Sequence, residues 1–218
     1  MENIKDALFF INRHGTTKLN EKDLYRGWSD DDDAALDAGG IRQAKTAGHF
    51  FRKLPVKFGY LTSSDLGRAT HTAAIIGKIL GITDIYADPR LRPLNVGDYT
   101  GKSKEKNSVL YYIQHPDVKF PGGESLNEFR QRQADASVGL FAWLQQHPDE
   151  KAIEVSHLSN VSYWEDYDEA VTGYLKDYAT DKKDLIHPGG VVAVMRDKTV
   201  IPLLGENKTA KVSDEGDE

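Results

Sequence analysis

The sequence predicts one α/β domain, a three-layer α/β/α sandwich around a mostly parallel central sheet. Apolar, strand-like runs alternate along the chain with longer segments whose apolar residues recur at helical spacing. A length of 218 residues is enough for one such domain with a sizeable core. We expect the domain to cover residues 1–205 and an acidic, mobile tail to cover 206–218.

The first half of the chain supplies three strands and two helices. "ALFFIN" (residues 7–12) is predicted to be the first buried strand, and residues 40–54 the first helix. "FGYLTSS" follows as the second strand, and residues 66–80 as the second helix. "DIYADP" is predicted to be a short third strand.

The second half begins with a long loop over residues 92–123, which leads to a helix starting near "GGESLNEF". "KAIEVSH" is predicted to be a strand, and "YWEDYDEAVTGYLKDYA" a polar, aromatic-rich helix. "GGVVAVMRDKTVIPLL" is typical of two strands around an Arg-Asp-Lys turn.

Composition excludes several classes of function. The apolar fraction of 39% and charged fraction of 28% are those of an ordinary globular protein. The net charge of −6 argues against nucleic acid as a partner, and no apolar run is long enough to cross a membrane. The chain has no cysteine, which fits a cytoplasmic protein and excludes a thiolate nucleophile. The sequence leaves open whether the protein forms a homodimer.

Polar, reactive residues follow three of the predicted strands. "INRHG" places Arg13 and His14 at the end of the first strand, "LTSSDLGR" leads from the second to Arg68, and "EVSH" places His157 at the end of another. Parallel sheets bind ligands at the carboxyl ends of their strands. Each residue alone is more often structural, but together they predict an anion site that contains a nucleophile.

These segments resemble the histidine phosphatase superfamily, in its phosphoglycerate-mutase-like branch. "RHGTTKLN" is similar to the signature Arg-His-Gly-x-Thr-x-x-Asn of that family, and five further segments follow it in the family's order over residues 6–205. They are "YRGWSDDDDAALDAGGIRQA", "LTSSDLGRATHTA", "RLRPLNVGDYTGK", "PGGESLNEFRQR" and "VSHLSNV".

The resemblance implies a phosphohistidine mechanism without a metal or other cofactor. His14 would be the nucleophile, and Arg13, Arg68 and His157 would surround the phosphate oxygens. Asn20 would donate one more hydrogen bond to the phosphate. The acidic run Asp30 to Asp33 is interpreted as a solvated helix start in preference to a metal site.

Two departures from the family pattern concern the general acid. Pro93 stands where the family usually has an acidic glutamate, and Leu158 stands where another branch has an aspartate. Asp98 and Glu124 are nearby substitutes, although Asp98 is equally suited to facing solvent and Glu124 to capping the helix that follows. A water molecule is a further alternative.

Substrate recognition stays open at two places. Arg26 would suit a second anionic group of the substrate, or be an exposed structural arginine. The long loop carries four aromatic residues, Tyr99, Tyr111, Tyr112 and His115. They would either stack on a base or sugar of the substrate or form a small core of the loop itself.

The sequence therefore predicts a metal-independent phosphomonoesterase that acts on a small phosphorylated metabolite. A catalytically weak module that binds phosphate esters is the alternative from another class. A phosphomutase is less favoured, because no extended segment that would shield the intermediate from water is evident.

Overall fold

A computed structural model describes residues 2–20, 22, 24–31, 34–104, 109–164, 186–196 and 199–204. The predicted aromatic-rich helix lies largely outside these residues, as does the predicted tail at 206–218. No described helix is long and apolar enough to cross a membrane.

A six-stranded sheet forms the centre of the fold, with the strand order β3-β2-β4-β1-β5-β6. Its strands are β1 (Ala7–Arg13), β2 (Lys57–Ser63), β3 (Ile85–Ala87), β4 (Glu150–Ser156), β5 (Val191–Met195) and β6 (Val200–Leu204). Neighbours among β1 to β4 pair in parallel, whereas β5 is antiparallel to both β1 and β6. The sheet is therefore mostly parallel, as predicted.

Helices cover both faces of this sheet. They are α1 (Ala38–Lys53), α2 (Gly67–Leu80), α3 (Leu110–Gln114), α4 (Leu126–Gln146) and α5 (Leu158–Trp164). Short 3₁₀ turns at Glu2–Asp6, Lys18–Asn20, Pro89–Leu91 and Gly97–Tyr99 connect them to the strands. The loop predicted over 92–123 therefore contains α3 and a 3₁₀ turn.

Each face of the sheet has its own apolar core. On one face Phe10 of β1 packs with Phe51 of α1 and Ile76 of α2. On the other face Phe9 packs with Leu140 of α4. Alternate residues of the same strand thus fill opposite layers, which is the pattern expected for a strand buried on both sides.

The start of α4 is fixed by a capping box. The Ser125 hydroxyl accepts from the Glu128 backbone N–H at 3.1 Å, and the Glu128 carboxylate accepts from the Ser125 N–H at 3.0 Å. Glu124 takes no part in this cap, so the helix start leaves its carboxylate for other partners.

Candidate active site

Three neighbouring parallel strands end at the same edge of the sheet, which brings Arg13, His14 and His157 together. The His14 backbone N–H donates to Ser156 O at 3.0 Å, so the end of β1 is tied to the end of β4. The Ser64 N–H donates to Val155 O at 3.0 Å and ties the end of β2 to the same place. The α2 helix then begins at Gly67 and carries Arg68 into the site.

His14 is buried, and one of its ring nitrogens is fixed by a backbone contact. Nδ1 lies 2.7 Å from Gly15 O. A carbonyl oxygen only accepts, so Nδ1 carries the proton and Nε2 holds a lone pair when the ring is neutral. Burial lowers the pKa of His14 well below its ordinary value, with Arg26, Arg68 and Arg13 adding to the shift. The neutral form therefore predominates at physiological pH.

Glycines allow the backbone around His14 to pack closely. A Cβ on Gly15 would lie 2.4 Å from Gly40 O, so only glycine lets the start of α1 approach the strand end. Gly189, with φ of 77°, donates its N–H to Arg13 O and His14 O at 3.0 Å each. Both contacts hold the backbone that carries the imidazole.

The His157 ring meets the His14 ring edge to face, with the ring centroids 5.1 Å apart. Its Nε2 is buried and has no hydrogen-bond partner among the described residues. Burial lowers the pKa of His157 well below its usual value, and the charge on Arg68 lowers it further. When Nε2 carries the ring proton, it is suited to donating to a ligand oxygen.

Two arginines flank the imidazoles. Arg13 Nη1 donates to Ile186 O at 2.5 Å, and Arg68 donates to Ser29 O at 2.8 Å and Gly27 O at 3.2 Å. Burial lowers the pKa of Arg68 to about 10, so the guanidinium stays protonated at neutral pH. Arg68 Nε has no partner among the described residues.

Asn20 holds Arg26 through its side-chain oxygen. Its Oδ1 accepts from Arg26 Nη1 at 2.8 Å, from Thr17 N at 2.9 Å and from Thr17 Oγ1 at 3.0 Å. Arg26 lines the cavity beside His14, whereas Asn20 is not among the described lining residues. The structure thus places Asn20 behind Arg26.

Glu124 forms a two-pronged ion pair with Arg132. The carboxylate accepts from Arg132 Nη2 at 2.5 Å and Nε at 3.1 Å, and from Asn95 N at 2.8 Å. Arg132 also donates to Arg92 O and Pro93 O. Glu124 is not among the described lining residues, and its contacts stabilise the loop around Pro93.

Asp98, Asp30 and Asp31 are not among the described lining residues of the cavity. Asp98 lies in the Gly97–Tyr99 turn and is absent from the described cavity lining. Asp30 accepts from Gly67 N at 2.8 Å, in the first turn of α2, and Asp31 accepts from Ala34 N at 3.0 Å. The α1 helix itself begins at Ala38 with Asp37 as its cap, and Asp32 and Asp33 lie outside the described residues.

A cavity of about 190 Å³ opens onto the two histidines. Its lining includes the charged or titratable residues Arg13, His14, Arg26, Arg68 and His157. It also includes Pro93 and Leu158. The described lining residues include no carboxylate.

Sequence reasoning missed other residues of this cavity, including Tyr25, Lys104, Ser159 and Ser162. The two serines lie on α5, one and four residues after Leu158. In a helix this spacing places all three residues on one face, so the segment "LSNVS" contained a signal for them. Lys104 stands two residues beyond the quoted Gly-rich motif, with no local pattern that marks it.

The aromatic residues of the long loop pack against one another. The Tyr112 ring stacks on Phe120 with centroids 4.1 Å apart, and Tyr99 contacts both rings at 5.7 Å. Tyr111 stacks on His115 at 4.4 Å. None of the four predicted aromatic residues is among the described lining residues of the cavity. Tyr99 and Tyr112 pack into a small core of the loop, whereas Tyr111 and His115 are exposed.

Comparison with known proteins identifies the family. Residues 9–162 match the family model of the histidine phosphatase superfamily (branch 1). The chain belongs to this superfamily. Its members are phosphatases or mutases, and the relatives below place the chain in the phosphoglycerate-mutase-like branch.

Curated relatives cover part of the chain. A 2,3-bisphosphoglycerate-dependent phosphoglycerate mutase from Methylobacterium sp. (strain 4-46) is 35% identical over 132 residues, which are 56% of this chain and 62% of the relative. The matched region thus spans less than two thirds of that mutase. A similar mutase from Afipia carboxidovorans is 33% identical over 57% of this chain and 63% of its own.

Solved structures match more of the chain. Phosphoglycerate mutase from Thermus thermophilus superposes with a TM-score of 0.63 at 26% identity, covering 89% of this chain and 97% of the mutase. Mycobacterial glucosyl-3-phosphoglycerate phosphatase has a TM-score of 0.65 at 22% identity, covering 85% of this chain and 88% of the phosphatase. These similarities confirm the predicted sandwich fold.

Proposed function

We propose that this protein is a metal-independent phosphomonoesterase that forms a phosphohistidine at His14. The contact between Nδ1 and Gly15 O carries the proposal, because it leaves the Nε2 lone pair of a neutral imidazole in a cationic cavity. That atom is a nucleophile held in one tautomer before substrate arrives.

In the first step, Nε2 of His14 attacks phosphorus, the new P–N bond forms, and the bond from phosphorus to the ester oxygen breaks. The alcohol leaves with a proton from solvent water, because the described cavity lining offers no carboxylate. In the second step, water attacks phosphorus, a P–O bond forms and the P–N bond breaks, with its electron pair returning to Nε2 of His14. Inorganic phosphate leaves, and the proton released by the attacking water replaces the one that solvent gave to the alcohol.

The charge that develops on the phosphoryl oxygens is stabilised by groups already in place. Arg13 and Arg68 are held by backbone carbonyls, so they require little rearrangement as the transition state forms. Arg68 Nε is a donor without a partner among the described residues, and so is His157 Nε2 in the tautomer that carries its proton there. A phosphoryl oxygen would accept from both. Arginine is suited to this role because its planar guanidinium can make paired hydrogen bonds to phosphate oxygens.

A phosphomutase is the second candidate, favoured by the names of the relatives in Methylobacterium and Afipia. A mutase passes the phosphoryl group from histidine to another hydroxyl of the substrate instead of to water. The two activities share the first step and differ only in the acceptor.

One experiment separates these activities. The purified protein is given p-nitrophenyl phosphate or 3-phosphoglycerate, each with and without 2,3-bisphosphoglycerate, and both inorganic phosphate and 2-phosphoglycerate are measured. The proposal expects release of phosphate that disappears in His14→Asn and persists in His49→Asn, a change on the exposed surface of α1. Isomerisation without net release of phosphate would favour the mutase, and binding without turnover would favour the module that binds phosphate esters.

A further inference from the structure

Besides its arginines and histidines, the cavity is lined mostly by apolar side chains. Aliphatic or aromatic side chains from several elements contribute to the lining, among them Tyr25, Pro93, Leu94, Val96, Leu126 and Leu158. Ligand sites commonly combine such a surface with a few polar groups that fix orientation. Here the arginines and histidines form the polar end.

The loop that carries Pro93 and Leu94 satisfies polar backbone groups with partners in the protein. Pro93 O accepts from Trp28 Nε1 at 2.8 Å and from Arg132 Nη2 at 3.1 Å, and Leu94 N donates to Ser159 Oγ at 3.2 Å. Because these contacts fix the backbone, the apolar side chains line the cavity without a ligand to order them. A preformed wall costs little reorganisation on binding.

We infer that the cavity selects phosphate monoesters of small apolar alcohols, branched alkyl or aryl, over phosphorylated acids of similar size. This inference rests on the proposed function, which places the phosphate at His14 and so directs the alcohol towards Val96 and Leu158. Covering apolar surface stabilises the complex by removing that surface from water. The whole cavity, with a volume of about 190 Å³, suits a small phosphate monoester, because pockets for drug-sized ligands measure roughly 300–1,000 Å³.

Arg26 and Lys104 also line the cavity, so a carboxylate on the substrate is the competing arrangement. Arg26 Nη1 is engaged by Asn20 Oδ1 and Thr17 Oγ1, which already surround that nitrogen with acceptors. In the lining as a whole, apolar side chains outnumber Arg26 and Lys104. The test therefore compares an apolar with a carboxylate-bearing ligand directly.

Alkylphosphonates test the inference without any chemistry, because their C–P bond is not hydrolysed. Dissociation constants of methyl-, propyl- and pentylphosphonate are measured by calorimetry on the full chain, together with 3-phosphonopropionate. We expect affinity to rise by about threefold per added methylene. The pentyl compound should bind more tightly than the carboxylate-bearing one.

Variants locate the effect on this wall. Val96→Thr keeps the side-chain shape, and Leu158→Asn is a larger change at a second place. Both should reduce the gain in affinity per methylene. The matched control is Val138→Thr on α4, where the side chain is 67% exposed and lies outside the described cavity lining. This control should preserve the gain per methylene.

The outcomes distinguish this inference from the function on which it rests. Equal binding of methyl- and pentylphosphonate, or tighter binding of 3-phosphonopropionate, would overturn the apolar selection while the phosphate site at His14 stands. Failure of every phosphonate and of orthovanadate to bind would overturn both. A chain-length effect that survives in Val96→Thr and Leu158→Asn would also contradict the inference.

Discussion

The His14 and His157 rings meet edge to face at 5.1 Å, yet their polar contacts differ. His14 has its Nδ1 fixed by Gly15 O, whereas the Nε2 of His157 is buried without a described partner. Burial and the surrounding arginines lower the pKa of both rings. This asymmetry favours His14 for attack on phosphorus and His157 for hydrogen bonding of a phosphoryl oxygen.

The first prediction concerns the nucleophile. His14→Ala should abolish turnover without loss of the fold, because the side chain contributes little to either apolar core. Trapping with a ³²P-labelled substrate should give acid-labile, base-stable label on the wild type and on His49→Ala, but not on His14→Ala. Label that maps to His157 would contradict the assignment.

The second prediction concerns the cationic end of the cavity. Arg13→Ala and Arg68→Ala should each lower kcat/KM by on the order of a hundredfold or more, because each removes a preorganised charge partner of the phosphoryl oxygens. Arg42→Ala on the exposed surface of α1 is the control and should leave kcat/KM unchanged. Orthovanadate should compete with substrate, and chelators should have no effect. Loss of activity in a chelator, restored by magnesium, would refute the metal-independent mechanism.

The third prediction concerns the protonation of His14. Its pKa is lowered by burial first and by Arg26 next, so the neutral nucleophile should persist below about pH 6.5. In Arg26→Ala, removal of a positive charge should raise the pKa of His14 and move the acid limb of kcat/KM to higher pH. NMR titration of the His14 ring measures the same shift without substrate. An unchanged or lower His14 pKa in Arg26→Ala would contradict this electrostatic account.

Much of the fold and of the candidate site could be predicted because polar residues follow successive apolar strands in the sequence. Arg13, His14 and His157 each directly follow or end an apolar run, and a parallel sheet places such positions at one edge. The strand order itself depends on packing between distant segments, which no local pattern contains. The antiparallel pair β5–β6 was predictable because its turn is short.

The roles of Glu124 and Asn20 depended on partners far along the chain. In the sequence, Glu124 before Ser125 is compatible with a helix N-cap. The structure instead pairs the Glu124 carboxylate with Arg132 of α4, eight residues further along the chain. Asn20 similarly contacts Arg26 across a loop with no periodic pattern. Specific side-chain geometry of this kind is set by tertiary packing.

The fourth prediction concerns Glu154, a buried carboxyl on β4. Burial raises its pKa to about 7, and the Ser156 hydroxyl donates to it at 2.8 Å. Its unfolded pKa is lower, so between about pH 4.5 and 7 the folded state binds more protons and stability falls as pH rises. Glu154→Gln should therefore raise the free energy of unfolding at pH 8 by on the order of 1–3 kcal/mol, with less effect at pH 5.

Denaturant unfolding of Glu154→Gln at both pH values measures this difference. Glu128→Gln is unsuitable as a control because Glu128 caps α4, so Asp149→Asn, beyond the end of that helix, serves instead. A variant that loses stability equally at pH 5 and pH 8 would show that the carboxylate is stabilising in its buried position.

The last prediction follows from Pro93 and Leu158, which line the cavity in the two positions where the family has its acids. Protonation of the leaving oxygen is worth roughly 10²- to 10⁴-fold, and most to poor leaving groups. The rate should therefore fall steeply across aryl phosphates as the leaving-group pKa rises, and p-nitrophenyl phosphate should react far faster than alkyl phosphates of similar affinity.

Glu124→Gln should lower activity alike for all of these esters, because it weakens the ion pair with Arg132 that supports the Pro93 loop. Asp98→Asn should change neither the rates nor their dependence on leaving group. A shallow dependence that steepens in only one of these variants would identify that carboxyl as the acid, and a shallow dependence unchanged in both would show that another group in the cavity donates the proton.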